Sequence, residues 1–322
     1  MFYSIRHITR FHYSAPINES VIEVRMRPRS DSDQRCLHFA LTVNPKAHVS
    51  FYRDRLGNSI HHFDVPGTHT RLVMVAESTV EVEAGEPIPN SLDATAWYDI
   101  DAMAGSGEYF EFLQPSQFAK PTALSQDFAK EIGAERRDDP LSLLRELNAR
   151  VFAALAYVPK STDVDSPADE ALSSRKGVCQ DFSHVMITVL RGLGIPARYV
   201  SGYLFNSAEA QRPSSDGASH AWLEAMLPGL GWVGFDPTNN SLSTEHHIRT
   251  AIGRDYADVP PAKGVFKGTA DSLLSVAVRV KTTDAPADDQ EMSPAAAAFS
   301  VTAQLGVEPA DERQKHQQQQ QQ

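Results

Sequence analysis

Along this chain the spacing of apolar residues changes from two to nearly four, and one layer of structure cannot satisfy both. Up to about residue 95 the period is two. Ile22, Val24 and Met26 alternate with Glu23, Arg25 and Arg27, and Leu37, Phe39, Leu41 and Val43 repeat the pattern. Leu72, Met74, Val80 and Val82 continue it among charged neighbours, with turns signalled at Asn44-Pro45, Leu56-Gly57-Asn58 and Pro66-Gly67. Alternation of this kind predicts antiparallel strands with one buried face, arranged as a small β-sandwich over residues 1–95. Beyond Pro87 and Pro89 the period lengthens. Asp139-Pro140 is a helix start, followed by Leu141, Leu144, Leu147, Val151 and Leu155 at helical spacing. With 322 residues the chain exceeds one typical domain. A second domain is expected over 96–282, its last strand at Leu273 to Val280. Residues 283–322, rich in Ala, Pro, Asp and Glu and ending in a Gln run, bury too little to offset ordering entropy, so a disordered tail is expected.

Chemistry concentrates between residues 175 and 240. Phe182, Val185, Met186, Val189, Leu190 and Leu193 form one apolar stripe of a helix that Gly194 and Pro196 bring to an end. Counting back, the helix begins between Gly177 and Cys179, which puts Cys179 in its first turn. Unpaired N–H groups and the positive end of the helix dipole favour a thiolate there. The same groups suit a developing oxyanion, and Gly177 leaves room for a substrate backbone. Taken alone, a cysteine at a helix start is more often a small buried hydrophobe. Cys36, early in an alternating strand, has only that reading.

Two strand-like runs follow, Ser219 to Met226 and Trp232 to Asn239, joined by Leu227-Pro228-Gly229-Leu230-Gly231. A hairpin centred on Pro228 pairs Ala221 with Phe235 and Leu223 with Val233 on an apolar face. The other face then holds His220 directly opposite Asp236, with Trp222 and Glu224 alongside. A carboxylate at that position accepts an imidazole N–H and steadies its cation, leaving the second ring nitrogen for a third group. Cys179 supplies that group if its helix packs on this face. Trp222 either walls a cleft or serves as a structural aromatic.

Composition narrows the partners. Thirty Lys and Arg against 41 Asp and Glu give a net charge of −11, and no basic run stands apart from it. Nucleic acid and anionic membranes are therefore not expected. Two cysteines make no disulfide framework, which fits a reducing compartment. The first residues lack the apolar stretch of a signal peptide, and nothing approaches the roughly 18 apolar residues of a membrane span. A cytoplasmic location is expected.

The stretches Gly177 to Phe182, Leu190 to Tyr203, His220-Ala221-Trp222 and Phe235 to Asn239 resemble the bacterial transglutaminase-like family. Tyr13-Ser14-Ala15-Pro16 and Asp54-Arg55-Leu56-Gly57-Asn58 are similar to the β domain preceding the core in many bacterial members. The resemblance spans about residues 1 to 280. It implies an α+β protein in which a papain-like core, helices packed on an antiparallel sheet, follows an N-terminal β-sandwich. It also implies a Cys179, His220, Asp236 triad acting on protein or peptide amides through a thioester, with Gly177 and Trp222 near the substrate. No cofactor and no metal are expected. Eukaryotic relatives often need calcium, but no EF-hand loop is present. Two rivals remain: a binding module built on a spent triad, and a metal site of Cys179, His184 and His220. The latter has poor spacing and no supporting CxxC or HExxH pattern. The pairs His61-His62 and His246-His247 read as solvent-exposed.

Overall fold

A computed structural model describes residues 1–206 and 218–285; most of the expected tail lies outside them. The N-terminal part is an antiparallel sheet of β1 (Phe2–Val24), β2 (Gln34–Asn44), β3 (Ser50–Arg53) and β4 (Ser59–Val82). β1 and β4 pair along most of their lengths, with register shifts between His12 and Ile17 and between Ile17 and Glu19. Residues on both sides of these irregularities, among them Tyr13, Ile22, Phe63, Leu72 and Met74, fill one apolar cluster. The sheet thus closes over its own inner face as the layers of a sandwich do.

Helices α1 (Ala96–Gly105), α2 (Ala123–Glu131), α3 (Pro140–Ala154) and α4 (Ala168–Ser174) follow, with the two-residue strands β5 (Ala156–Tyr157) and β6 (Lys176–Gly177) paired in parallel. Asp139 caps α3 by accepting from the Leu141 and Ser142 N–H groups at 3.0 Å, with Pro140 next in the chain. Next come α5 (Cys179–Gly192) and the strands β7 (Ala197–Leu204), β8 (His220–Leu227), β9 (Gly231–Asp236), β10 (Ser241–Leu242) and β11 (His247–Gly253). These five strands form a sheet ordered β10-β9-β8-β7-β11, antiparallel throughout.

α5 is the central helix of this layer. Phe182, Val185, Met186, Val189 and Leu190 pack with Tyr199, Ala221, Leu223, Ala225, Val233 and Phe235 of the sheet and with Leu144 and Leu147 of α3. Its polar residues are buried too, so they bond locally: Ser183 to the Cys179 carbonyl and Thr188 to the His184 carbonyl, both at 2.8 Å. At its C-terminal end Arg191 donates to the carbonyls of Phe112, Gln114, Ala197 and Arg254. Those bonds complement the negative end of the helix and tie it to the preceding loop.

The final strands, β12 (Ala262–Lys267) and β13 (Ser272–Thr282), correct the expected layout. They leave the core and pair antiparallel with β1, β12 along Glu19 to Val24 and β13 along Tyr3 to Tyr13. Alternation in Leu273 to Val280 announces a strand but not its partner.

The two layers share apolar residues. Tyr3, Ile5, Val80 and Val82 cluster with Tyr203 and Ile248, and Leu56 packs against Val200, Trp222 and Ile252. β11 lies at the edge of the core sheet, and side chains from the N-terminal layer complete its bonding. The Gln34 amide exchanges bonds with Arg249 N and O at 2.8 and 2.9 Å, and the Asn58 amide does so with Ile252 N and O, both at 2.8 Å.

Candidate active site

The site lies where the start of α5 meets the β8–β9 hairpin. Cys179 is the first residue of α5 and half-buried. The turn before it is set by Asp181, whose Oδ2 accepts the Val178 N–H at 2.7 Å and the Thr162 hydroxyl at 2.6 Å. Burial raises the Asp181 carboxyl above its usual range, with these bonds opposing the shift. Gly177 is required by this turn: a Cβ there would stand 2.9 Å from the Asp181 Cβ and 3.3 Å from that of Ala171. Its bareness therefore serves close packing under the cysteine, where the sequence suggested room for substrate.

His220 opens β8 and Asp236 closes β9. Both are buried, and His220 Nε2 lies 2.8 Å from Asp236 Oδ2. The hairpin register differs from the expected one by two residues. Leu223 faces Phe235 and Ala225 faces Val233, so the turn centres on Gly229, which with Gly231 adopts positive φ. A slip of two keeps every side chain on its face. His220 and Asp236 become diagonal rather than direct neighbours, and an imidazole and a carboxylate still span that separation.

From the start of α5, the Cys179 side chain adds to the influences that favour the His220 cation. Burial alone would drive proton loss from the ring. The Asp236 carboxylate, aided by Cys179, overrides this and carries the His220 pKa up to about 10. Asp236 responds in reverse: burial favours its neutral form, but His220 and His247 hold it well below the usual carboxylate range. Its Oδ1 accepts the backbone N–H groups of Thr238 and Asn239 at 3.1 and 3.3 Å. Its Oδ2 also receives the Asn239 amide at 2.6 Å.

His247 is the residue that sequence reasoning missed. Expected at the surface, it is buried, with Nε2 at 3.2 Å from Asp236 Oδ2. His61 is likewise buried, between Phe39 and Phe51. Trp222 is fully buried, stacked 6.0 Å from His220 and edge-on to His247 at 5.1 Å, so it backs the imidazole instead of walling a cleft. His184 sits apart from this cluster. It is stacked on Phe118 and accepts the Tyr256 N–H at 3.2 Å, which leaves no metal triplet with Cys179 and His220.

His220, Asp236 and His247 do place three potential ligand atoms within 4.8 Å of one another. The chemistry of the set opposes a cation. The Thr244 N–H donates to His247 Nδ1 at 3.1 Å, so the neutral ring carries its proton on Nε2, the atom facing Asp236. That atom then has no lone pair for a metal.

A family model described as the bacterial transglutaminase-like N-terminal region matches residues 3–81, and one described as the transglutaminase-like superfamily matches residues 126–237, a span that includes Cys179, His220 and Asp236. An uncharacterized protein of Mycobacterium leprae is 34% identical over 275 residues, 85% of this chain and 96% of its own. A protein-glutamine gamma-glutamyltransferase of Pseudomonas aeruginosa is 36% identical over 135 residues, 39% of this chain and 20% of that protein. The crystal structure of a candidate cysteine protease from Cytophaga hutchinsonii shares the fold, with a TM-score of 0.67 at 24% identity, covering 89% of this chain and 92% of the other.

Proposed function

This chain belongs to the bacterial transglutaminase-like family, and on that footing we propose that it transfers acyl groups from amide carbonyls through a thioester on Cys179. The observation that carries the reading is one buried imidazole: His220 lies 2.8 Å from Asp236, and the Cys179 side chain at the start of α5 joins that carboxylate in favouring its cation. An imidazole held in this way stores the thiol proton as its cation. The sulfur then attacks a carboxamide carbon, and the tetrahedral oxyanion is received by the unpaired N–H groups at the start of α5. Collapse breaks the C–N bond, and His220 gives its proton to the departing amine. Water or a primary amine next attacks the thioester. His220 takes the proton of that nucleophile, and the acyl group departs from sulfur to leave the thiolate beside the imidazolium as at the start. Asp236 stays ionised throughout and fixes the ring.

Glutaminyl side chains are the proposed donors. The stretch shared with the Pseudomonas transferase supports that class over other amides, and a net charge of −11 favours protein or peptide partners over nucleic acid. A reducing, cytoplasmic setting is part of the same proposal.

The test is incubation with glutaminyl peptides, with and without a primary amine, read by mass spectrometry. Addition of the amine is the expected result, with a one-dalton gain when water is the acceptor. Cys179→Ser should lower turnover by roughly 10³-fold or more. Full turnover in that variant would remove the nucleophile from the scheme.

A further inference from the structure

We propose that His247 is a positioning residue that holds Asp236 at the same oxygen that meets His220 and sets how strongly the carboxylate binds the imidazolium. The proposal rests on the acyl-transfer reading above. Two imidazoles meet one oxygen: Asp236 Oδ2 lies 2.8 Å from His220 Nε2 and 3.2 Å from His247 Nε2. Their roles differ because their surroundings differ. Cys179 acts on His220 alongside Asp236, and on the acyl-transfer reading that ring takes and returns the thiol proton. His247 Nδ1 accepts a backbone N–H from Thr244, which fixes one neutral tautomer and makes Nε2–H a permanent donor to the carboxylate. A donor that never leaves draws electron density from Oδ2 and limits rotation of the carboxyl, much as an outer hydrogen-bond partner tunes a catalytic group.

His247 is itself held. Trp222 packs against it edge-on, and β11, whose first residue it is, is bonded to β7 inside and to Gln34 and Asn58 outside. Among the described residues, the titratable groups facing this assembly are Cys179 from α5, His220 from β8 and Asp236 from β9. Burial keeps the hydroxyls of Tyr199 of β7 and Tyr256 protonated to higher pH, with Cys179 acting in the same direction.

Removing the donor has a signature that loosening does not. Without His247 the carboxylate is more basic and binds the imidazolium more tightly, so the thiolate persists to lower pH. The carboxyl keeps its Thr238 and Asn239 donors but loses the one from β11, so its aim at His220 loosens and turnover falls. The experiment compares the full chain with His247→Leu and His247→Gln. The thiolate midpoint is read from ultraviolet absorbance near 240 nm against Cys179→Ala, and turnover from a glutaminyl dipeptide with hydroxylamine. For His247→Leu the midpoint should fall by about half a pH unit or more. Its kcat should drop roughly tenfold or more, with KM little changed. His247→Gln, whose amide keeps an N–H for Asp236, should restore most of both. An unchanged midpoint in His247→Leu would overturn the proposal. So would a midpoint that rises in both variants together with a lowered melting temperature, the mark of a merely structural residue. Absence of dipeptide turnover in the wild type would count against the acyl-transfer reading alone, since the midpoint is read without substrate.

Discussion

At the scale of single residues, the two cysteines make the sharpest contrast. Burial pushes the Cys36 thiol up, whereas Cys179 stands at a helix start beside an imidazole that favours its cation. Iodoacetamide at pH 6 should therefore label Cys179 well ahead of Cys36, which peptide mapping would read directly. Equal labelling would contradict the pairing of Cys179 with His220. A second expectation concerns acid. His7 and His61 have pKa values lowered to about 4 and His184 to about 3, all chiefly by burial. The unfolded chain binds these protons from about pH 6.5 downward while the folded chain does not, so stability falls from pH 6.5 toward about 4. His220 works in the other direction and in another window. Its raised value adds stability that is complete below about 6.5 and lost as pH climbs toward about 10. Thermal midpoints measured across pH 4 to 7 should decline on the acid side, and His7→Gln should flatten that slope.

At the scale of elements, the sequence discloses most where period and chemistry agree. The stripe from Phe182 to Leu190 and the start of α5 are legible because an apolar row at helical spacing meets a defined stop. The His220–Asp236 contact is legible because a face assignment survives a register error of two, and only an odd slip would have separated them. His247 was hidden for a physical reason. A register shift between Arg249 and Ala251 interrupts the alternation of β11, so adjacent histidines there carry no sign of which points inward. Gly202 shows the same limit. It sits opposite His220, where a Cβ would lie 2.2 Å from the Ile248 carbonyl oxygen and 2.6 Å from the Trp222 ring. Nothing in its neighbours betrays that approach. Gly202→Ala should destabilise the fold by about 2 kcal/mol or more, measured by denaturant unfolding. Tolerance of the methyl group would show that β7 and β11 lie farther apart than described.

At the scale of the molecule, the N-terminal layer braces the catalytic one. Asn58 bonds the backbone of β11 on both sides of Ile252, and its neighbour Leu56 packs against Trp222, which lies behind His220. Asn58→Ala strands two buried backbone groups and should cost about 1–3 kcal/mol, or roughly 2–8 °C in melting temperature for a protein of this size. Calorimetry would show whether the transition stays single, as a shared core requires. The return of the last two strands carries a further consequence. β1 leaves the ribosome well ahead of its partner β13, which emerges only after the whole catalytic layer has been synthesised. Until then the early strand keeps an open flank along Tyr3 to Tyr13, and the nascent sheet must wait for its seal. Translation that stops short of residue 272 leaves that flank exposed, so an incomplete copy of this protein is a natural target for chaperones and proteases.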